Sequence, residues 1–121
     1  MADPAGVSGS VLRLSAHQEG DSRVLAAAGQ LTEKECAELL DALGRELGMP
    51  ARRLVLDLGG LMYMSSAGLG TLVAAHKRFA DAGRSLVLAA ANSRVRKLLA
   101  LTSLDRIIAS AGSVEEALKL G

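Results

Sequence analysis

The sequence is almost without aromatic residues, since it has no Trp and its only aromatic side chains are Tyr63 and Phe79. It also lacks an excess of charge of either sign, because 14 Lys and Arg residues balance 13 Asp and Glu residues. Proteins that bind nucleic acids typically combine a basic surface with aromatic side chains that stack on bases. The composition therefore argues against a nucleic-acid partner.

The chain contains one cysteine, Cys36, which excludes an intramolecular disulfide and agrees with a reducing compartment. No apolar run approaches the ~18 residues typical of a transmembrane helix. The N-terminus does not join a basic segment to an apolar one, as a secretory signal does. These absences predict a cytoplasmic protein that does not associate with a membrane.

A length of 121 residues suits one domain with its own hydrophobic core. Residues 1–10 are rich in Gly, Ala, Ser and Pro, and they are predicted to form a disordered N-terminal arm. The folded domain is predicted to span residues 11–121.

Apolar runs and helix-start signals alternate along that domain. Two motifs, Thr32 to Glu35 and Ser113 to Glu116, have the pattern of a capping box at a helix start, and Asn92 is a further N-cap candidate. The alternation predicts an α/β fold with a mixed, mostly parallel β-sheet of four to five strands packed with about four helices. Strands are predicted at residues 11–14, 24–28, 54–58, 86–90 and 107–109, and the first two are predicted to form an antiparallel hairpin.

The most informative stretch follows the apolar run at residues 54–58. Gly59 and Gly60 are predicted to end that strand, and a helical apolar period begins at Leu69. The new helix should start near Ser65 or Ser66, because a serine hydroxyl can accept hydrogen bonds from free N–H groups of a first turn. In open α/β sheets, the loop at the carboxyl end of a strand commonly carries function.

Residues 63–70, Tyr-Met-Ser-Ser-Ala-Gly-Leu-Gly, resemble the signature of STAS domains, in particular the bacterial anti-sigma factor antagonists. The usual pattern of that family is an apolar pair followed by Asp-Ser-Ser/Ala-Gly-Leu-Gly. The resemblance implies a STAS-type fold and identifies Ser66 as the serine that an anti-sigma factor kinase phosphorylates. Ser65 stands where the family has Asp, and Gln30 to Thr32 carry no acidic residue where family members often have one.

The resemblance also implies a partner-switching role in transcription regulation. The chain would bind an anti-sigma factor serine kinase and free a sigma factor, phosphorylation of Ser66 would end the binding, and a serine phosphatase would restore it. ATP would belong to the partner, so the resemblance implies no cofactor, no metal and no enzymatic activity of the chain itself. The predicted partner-binding residues are Ser65, Ser66, Ala67, Gly68, Thr71 and Ala74, with Ala75 beside them on a face of small side chains.

Several alternatives remain open on the residues alone. Ser66 could simply cap the helix, and the chain could be a STAS scaffold or ligand-sensing module that is not phosphorylated. A hydrolase is disfavoured, because Met64 replaces the first Gly of the G-x-S-x-G elbow and His76 would lie roughly 15 Å along the same helix from Ser66.

Two further features have simpler structural interpretations. Asp57 near a strand end is interpreted as a carboxylate that anchors the following loop, in preference to the phosphoacceptor of a receiver domain. Arg94, Arg96 and Lys97 form a basic cluster that either faces solvent or meets an acidic partner surface.

Overall fold

A computed structural model describes residues 11–120 of the chain. The predicted arm at residues 1–10 therefore lies outside the described residues. The strands are Leu12–Glu19 (β1), Ser22–Leu31 (β2), Arg53–Met64 (β3), Ser85–Ala89 (β4) and Ala109–Ala111 (β5). The helices are Glu33–Leu47 (α1), Ser66–Asp81 (α2), Ser93–Leu101 (α3) and Val114–Leu118 (α4), and a 3₁₀ turn spans Leu104–Arg106.

The five strands form one sheet in the order β1-β2-β3-β4-β5. β1 is antiparallel to β2, and the remaining neighbours are parallel. The α/β fold with a mixed, mostly parallel sheet and four helices is therefore confirmed. Parallel neighbours require a crossover between them, and α1, α2 and α3 supply the crossovers from β2 to β3, from β3 to β4, and from β4 to β5.

The predicted helix starts are confirmed, and side-chain hydrogen bonds define them. The Glu35 carboxylate accepts from the backbone N–H of Thr32 at 2.9 Å at the start of α1. The Asn92 Oδ1 accepts from the Val95 N–H at 2.9 Å before α3. The Ser113 hydroxyl accepts from the Glu116 N–H at 3.1 Å before α4. These contacts satisfy N–H groups that have no partner within the helix.

The predicted second strand, at residues 24–28, is too short, because β2 continues to Leu31. Gly29 has φ of +105°, and a Cβ there would lie 1.9 Å from the backbone oxygen of Val11. The pairing register with β3 shifts directly after it. Gly29 therefore permits an irregularity within the strand and a close approach of β1, which no other residue allows.

The prediction that β3 ends at Gly59 and Gly60 is also wrong, because the strand runs on to Met64. Asp57 pairs with Ala26 while Gly60 pairs with Ala28, so β3 holds one residue more than β2 between these pairs. This arrangement is a β-bulge, which kinks a strand without ending it. Pairing with the extended β2 keeps β3 in the sheet beyond the glycines.

The last strand lies two residues later than predicted. The N–H groups of Ile107 and Ile108 both donate to the carbonyl oxygen of Leu104, at 3.0 and 2.9 Å. The 3₁₀ turn therefore takes up the apolar pair that the sequence assigned to the strand, and Ile108 is buried as the chain enters β5.

The core lies on both faces of the sheet. One face packs against α1, α2 and α3, which contribute fully buried residues such as Leu39, Leu43 and Phe79. The opposite face packs Val24 and Val55 against α4. Each fully buried aliphatic side chain contributes about 1.5–3 kcal/mol to folding. None of the described helices combines the length and apolar composition of a membrane span.

Candidate functional site

Ser65 and Ser66 lie at the junction of β3 and α2, at the carboxyl edge of the sheet. The Ser65 N–H donates to the carbonyl oxygen of Leu31 at 3.0 Å, which fixes the junction to the end of β2. The Ser65 hydroxyl accepts from the Gly68 N–H at 3.4 Å and is the N-cap of α2. Ser66 is exposed as the first residue of α2. Within residues 11–120 the Ser66 hydroxyl makes no hydrogen bond.

A second bulge in β3 shapes the surface before the serines. Leu61 pairs with Gly29 and Tyr63 pairs with Gln30, which leaves Met62 as an extra residue. Strand alternation alone would turn one of Met62 and Tyr63 toward the core. With the bulge, Leu61 and Met64 are buried while Met62 and Tyr63 are 66% and 48% exposed. The bulge thus presents two large side chains to solvent beside Ser66.

Two depressions flank this junction. The α3-side depression, about 370 Å³, is lined by residues that include Met62, Tyr63, Ser66, Arg94, Val95 and Leu98. The α1-side depression is lined by residues that include Gln30, Thr32, Glu33, Lys34, Tyr63 and Ser65. Tyr63 and Ser65 line both depressions, whereas Ser66 lines the α3-side depression alone of the two. Ser65 therefore borders both depressions, whereas Ser66 borders the depression that contains Arg94.

Carboxylates border the α1-side depression. Glu35 is 4% exposed, and hydrogen bonds from the Thr32 hydroxyl and backbone N–H hold the pKa of the Glu35 carboxyl below its ordinary value. Glu35 and its neighbour Glu33 line this depression together with Ser65. Positions 30–32 carry no acidic residue, and the first turn of α1 supplies the acidic groups instead.

The expected face of small residues is not an open surface. Ser66 is exposed and Ser65, Ala67 and Ala74 are half-buried, but Gly68, Thr71 and Ala75 are buried. Gly68 and Thr71 are therefore covered in the free domain, and their contact with a partner stays a prediction.

Close packing of α2 explains this burial. A Cβ at Gly68 would lie 2.6 Å from the Cγ of Met64 and 3.0 Å from the Cδ2 of Leu31. The hydroxyl of Thr71 donates to the carbonyl oxygen of Ala67 at 3.1 Å, within the same helix. The small residues of the signature thus bring the first turn of α2 against the sheet.

The other candidate residues have structural surroundings. The Asp57 carboxylate accepts from the Gly59 N–H at 2.9 Å, which confirms its interpretation as an anchor of the segment that follows. The thiol of Cys36 donates to the carbonyl oxygen of Thr32 at 3.2 Å. His76 is half-buried on α2, ten positions beyond Ser66. In the part of the chain that the structure describes, no group of three or more His, Cys, Asp or Glu side chains is placed to hold a metal ion.

Sequence reasoning missed the proximity of Arg94 to the serines. Asn92 donates through its Nδ2 to the carbonyl oxygen of Leu61 at 3.0 Å, which ties the start of α3 to the outer end of β3. Arg94, two residues later, therefore lines the α3-side depression with Ser66. Parallel pairing of β3 and β4 could have indicated this proximity, because the carboxyl ends of parallel neighbouring strands lie at the same edge of the sheet.

Comparison with known proteins gives consistent matches over most of the chain. A family model described as "Mlab, STAS domain" matches residues 14–109. BtrV of Bordetella bronchiseptica, whose name assigns it as an anti-sigma factor antagonist, is 33% identical over 98 residues. That match covers 80% of this chain and 84% of the relative.

Solved structures of similar fold have lower sequence identity. An anti-sigma factor antagonist from Mycobacterium paratuberculosis has a TM-score of 0.81 at 20% identity, covering 88% of this chain and 91% of that chain. Unphosphorylated SpoIIAA has a TM-score of 0.73 at 16% identity, with coverages of 88% and 93%. Phosphorylated SpoIIAA of Bacillus has a TM-score of 0.66 at 15% identity, with coverages of 88% and 96%. At these identities the structures establish likeness of fold.

Proposed function

The chain belongs to the STAS domain family of anti-sigma factor antagonists, and from this premise we propose that phosphorylation of Ser66 controls its binding to a serine-kinase anti-sigma factor. The unmodified chain binds the anti-sigma factor and frees the sigma factor. The phosphorylated chain does not bind, and a serine phosphatase returns it to the binding state. ATP is bound by the kinase, and this chain acts as a regulatory binding protein in the cytoplasm without a catalytic role, a nucleic-acid partner or a membrane partner.

The observation that carries this proposal is the separation of tasks between the two serines. Ser65 caps α2, so the exposed hydroxyl of Ser66 can be modified without loss of the cap. A phosphate on Ser66 would lie at the positive end of the helix dipole, where anions are favoured. The free domain can therefore carry the modification and stay folded. SpoIIAA has been solved in an unphosphorylated and a phosphorylated form, which supports the same possibility for this fold.

The energetic basis of the switch is a change of charge at an interface. A phosphoserine adds about −1.5 to −2 charges at neutral pH. A partner surface that accommodates a neutral hydroxyl supplies no cation for that charge, so its desolvation at the interface is costly. The exposed side chains of Met62 and Tyr63 beside Ser66 provide the apolar contact area that such an interface needs.

The test is phosphorylation of the purified chain by its anti-sigma factor kinase and ATP, followed by intact-mass measurement and peptide mapping. We expect one phosphate, located at Ser66. Ser66→Ala should abolish it, and Ser65→Ala, the matched control, should retain it. A phosphate mapped to Ser65, or none with a kinase that is active on another antagonist, would contradict the proposal. It would favour the alternative of a STAS scaffold or ligand-sensing module without phosphorylation, which the replacement of the family's Asp by Ser65 motivates.

A further inference from the structure

Arg94 lines the α3-side depression without a partner for its charge. Within residues 11–120, its guanidinium forms no hydrogen bond and no ion pair, and the side chain is exposed on the first turn of α3. The side chains around the depression are apolar or neutral apart from Arg94 itself. Ser66 opens into the same depression. A guanidinium without a partner among the described residues and the hydroxyl of Ser66 therefore line one open depression.

We propose that Arg94 is the counter-ion of the switch: it binds an acidic side chain of the anti-sigma factor when Ser66 is unmodified, and the phosphate captures it when Ser66 is phosphorylated. This inference rests on the proposed function and adds a residue of this chain that binds either the partner or the phosphate. The planar guanidinium presents its N–H donors in a fixed fork that suits both carboxylate and phosphate. The two anions therefore compete for the same donors.

The position of Arg94 on α3 distinguishes it from the neighbouring basic residue Arg96. Arg94 and Leu98 are four residues apart, so they share a helix face, and both line the depression that contains Ser66. Arg96 lines a different depression, which also contains Asp105. The hydrogen bonds of Asn92 to Leu61 and Val95 fix the helix start, so Arg94 is held beside the end of β3.

The arrangement predicts that phosphorylation weakens the interface in two ways. It introduces a charge beside the apolar side chains of Met62 and Leu98, and it withdraws Arg94 from the partner. The partner's contact segment should correspondingly pair an apolar side chain, which enters the depression between Met62 and Leu98, with an adjacent Asp or Glu that meets Arg94. A depression of about 370 Å³ is within the range of sites that admit such groups, ~300–1,000 Å³.

The first test needs no partner protein. Phosphoserine is installed at position 66 during translation, and the second ionisation of its phosphate is titrated by ³¹P NMR in the wild-type chain and in Arg94→Gln and Arg96→Gln chains. A nearby cation favours the dianion, so Arg94→Gln should raise the phosphate pKa by about half a unit or more. Arg96→Gln, which removes the same charge from the same helix, should leave the phosphate pKa near its wild-type value. Equal phosphate pKa values in the wild-type and Arg94→Gln chains would overturn the proposal.

The second test measures binding of the unphosphorylated chains to the anti-sigma factor by calorimetry. We expect Arg94→Gln to weaken binding about tenfold or more and Arg96→Gln to change it less than about threefold. Unchanged affinity of Arg94→Gln would overturn the partner contact. If wild-type chain with phosphoserine at position 66 binds as tightly as the unmodified chain, the proposed function fails. That result is separate from the ³¹P measurement, which judges the Arg94 contact by itself.

Discussion

At the scale of single residues, the two adjacent serines at the start of α2 have different surroundings. Ser65 uses its hydroxyl to cap α2, and Ser66 keeps its hydroxyl exposed and unbonded among the described residues. The family's usual Asp at the position of Ser65 is itself a good N-cap residue. The replacement by Ser therefore keeps the capping function and gives up a negative charge next to the proposed acceptor.

This division predicts different stabilities for two alanine variants. Ser65→Ala removes the cap and should cost about 0.5–1 kcal/mol of unfolding free energy, at the lower end of the range for N-caps because the hydrogen bond is long. Ser66→Ala removes no hydrogen bond and should stay within about 0.5 kcal/mol of the wild type. Urea unfolding of both variants measures the difference. A larger loss for Ser66→Ala than for Ser65→Ala would show that the roles are reversed.

At the scale of elements, the site depends on how β3 ends and how α2 begins. Two bulges carry β3 past Gly59 and Gly60 and turn Met62 and Tyr63 outward. Gly68 then lets the first turn of α2 lie against Met64 and Leu31. The surface beside Ser66 is thus set by a strand irregularity on one side and by a close helix contact on the other.

The close contact predicts opposite effects of alanine at two glycines of α2. Gly68→Ala should lower the unfolding free energy by about 1–3 kcal/mol, because its Cβ would overlap Met64 in a packed region. Gly70→Ala, where an added Cβ meets no atom within 4 Å, should raise the unfolding free energy by up to about 1 kcal/mol, because alanine favours the helix. Thermal or urea unfolding of the two variants measures both changes in the free energy of unfolding. A stable Gly68→Ala variant would mean that the contact relaxes freely.

At the scale of the whole molecule, the sequence predicted those features that depend on residues close together in the chain, such as the helix starts. Thr32, Asn92 and Ser113 start helices through side-chain hydrogen bonds within three residues, so the sequence alone located these starts. The extent of β3 depends on its pairing with β2, about thirty residues earlier in the chain, and Gly59 and Gly60 gave a misleading signal of termination.

The sequence likewise predicted one part of the candidate site and not the rest. The motif at residues 63–70 identified the two serines and the start of α2, because the pattern is contiguous in the sequence. It could not show that Gly68 and Thr71 face inward, since small residues suit both a packed contact and an open face. The position of Arg94 beside Ser66 requires the arrangement of β3, β4 and α3 in space.

The whole chain should respond to Ser66→Asp with folding retained and binding lost. The carboxylate lies at the start of α2, where the helix dipole favours it by about 0.3–1 kcal/mol, so the melting temperature should hold or rise slightly. In the complex, the carboxylate receives no cation from the partner and draws Arg94 away from the partner's acidic side chain, and breaking such a charge pairing costs on the order of 2–5 kcal/mol, or roughly 30- to several-thousand-fold in affinity. Thermal melts and calorimetric titration against the anti-sigma factor test both parts, with Ser66→Ala as the control that keeps binding. Equal affinity of the two variants would rule out a switch by charge.

The order of strands in the sheet has a consequence for synthesis on the ribosome. Each strand from β2 to β5 pairs with the strand translated immediately before it. Each new strand can therefore add to the edge of the existing sheet, and none has to insert between two strands that are already paired. The α1-α2-α3 face can therefore be assembled progressively as translation proceeds. The opposite face waits longer, because among the described residues Val24, Val55 and Val87 are covered by α4, the last of the four helices to be translated. Until α4 has emerged, a nascent chain exposes an aliphatic strip that chaperones could recognise.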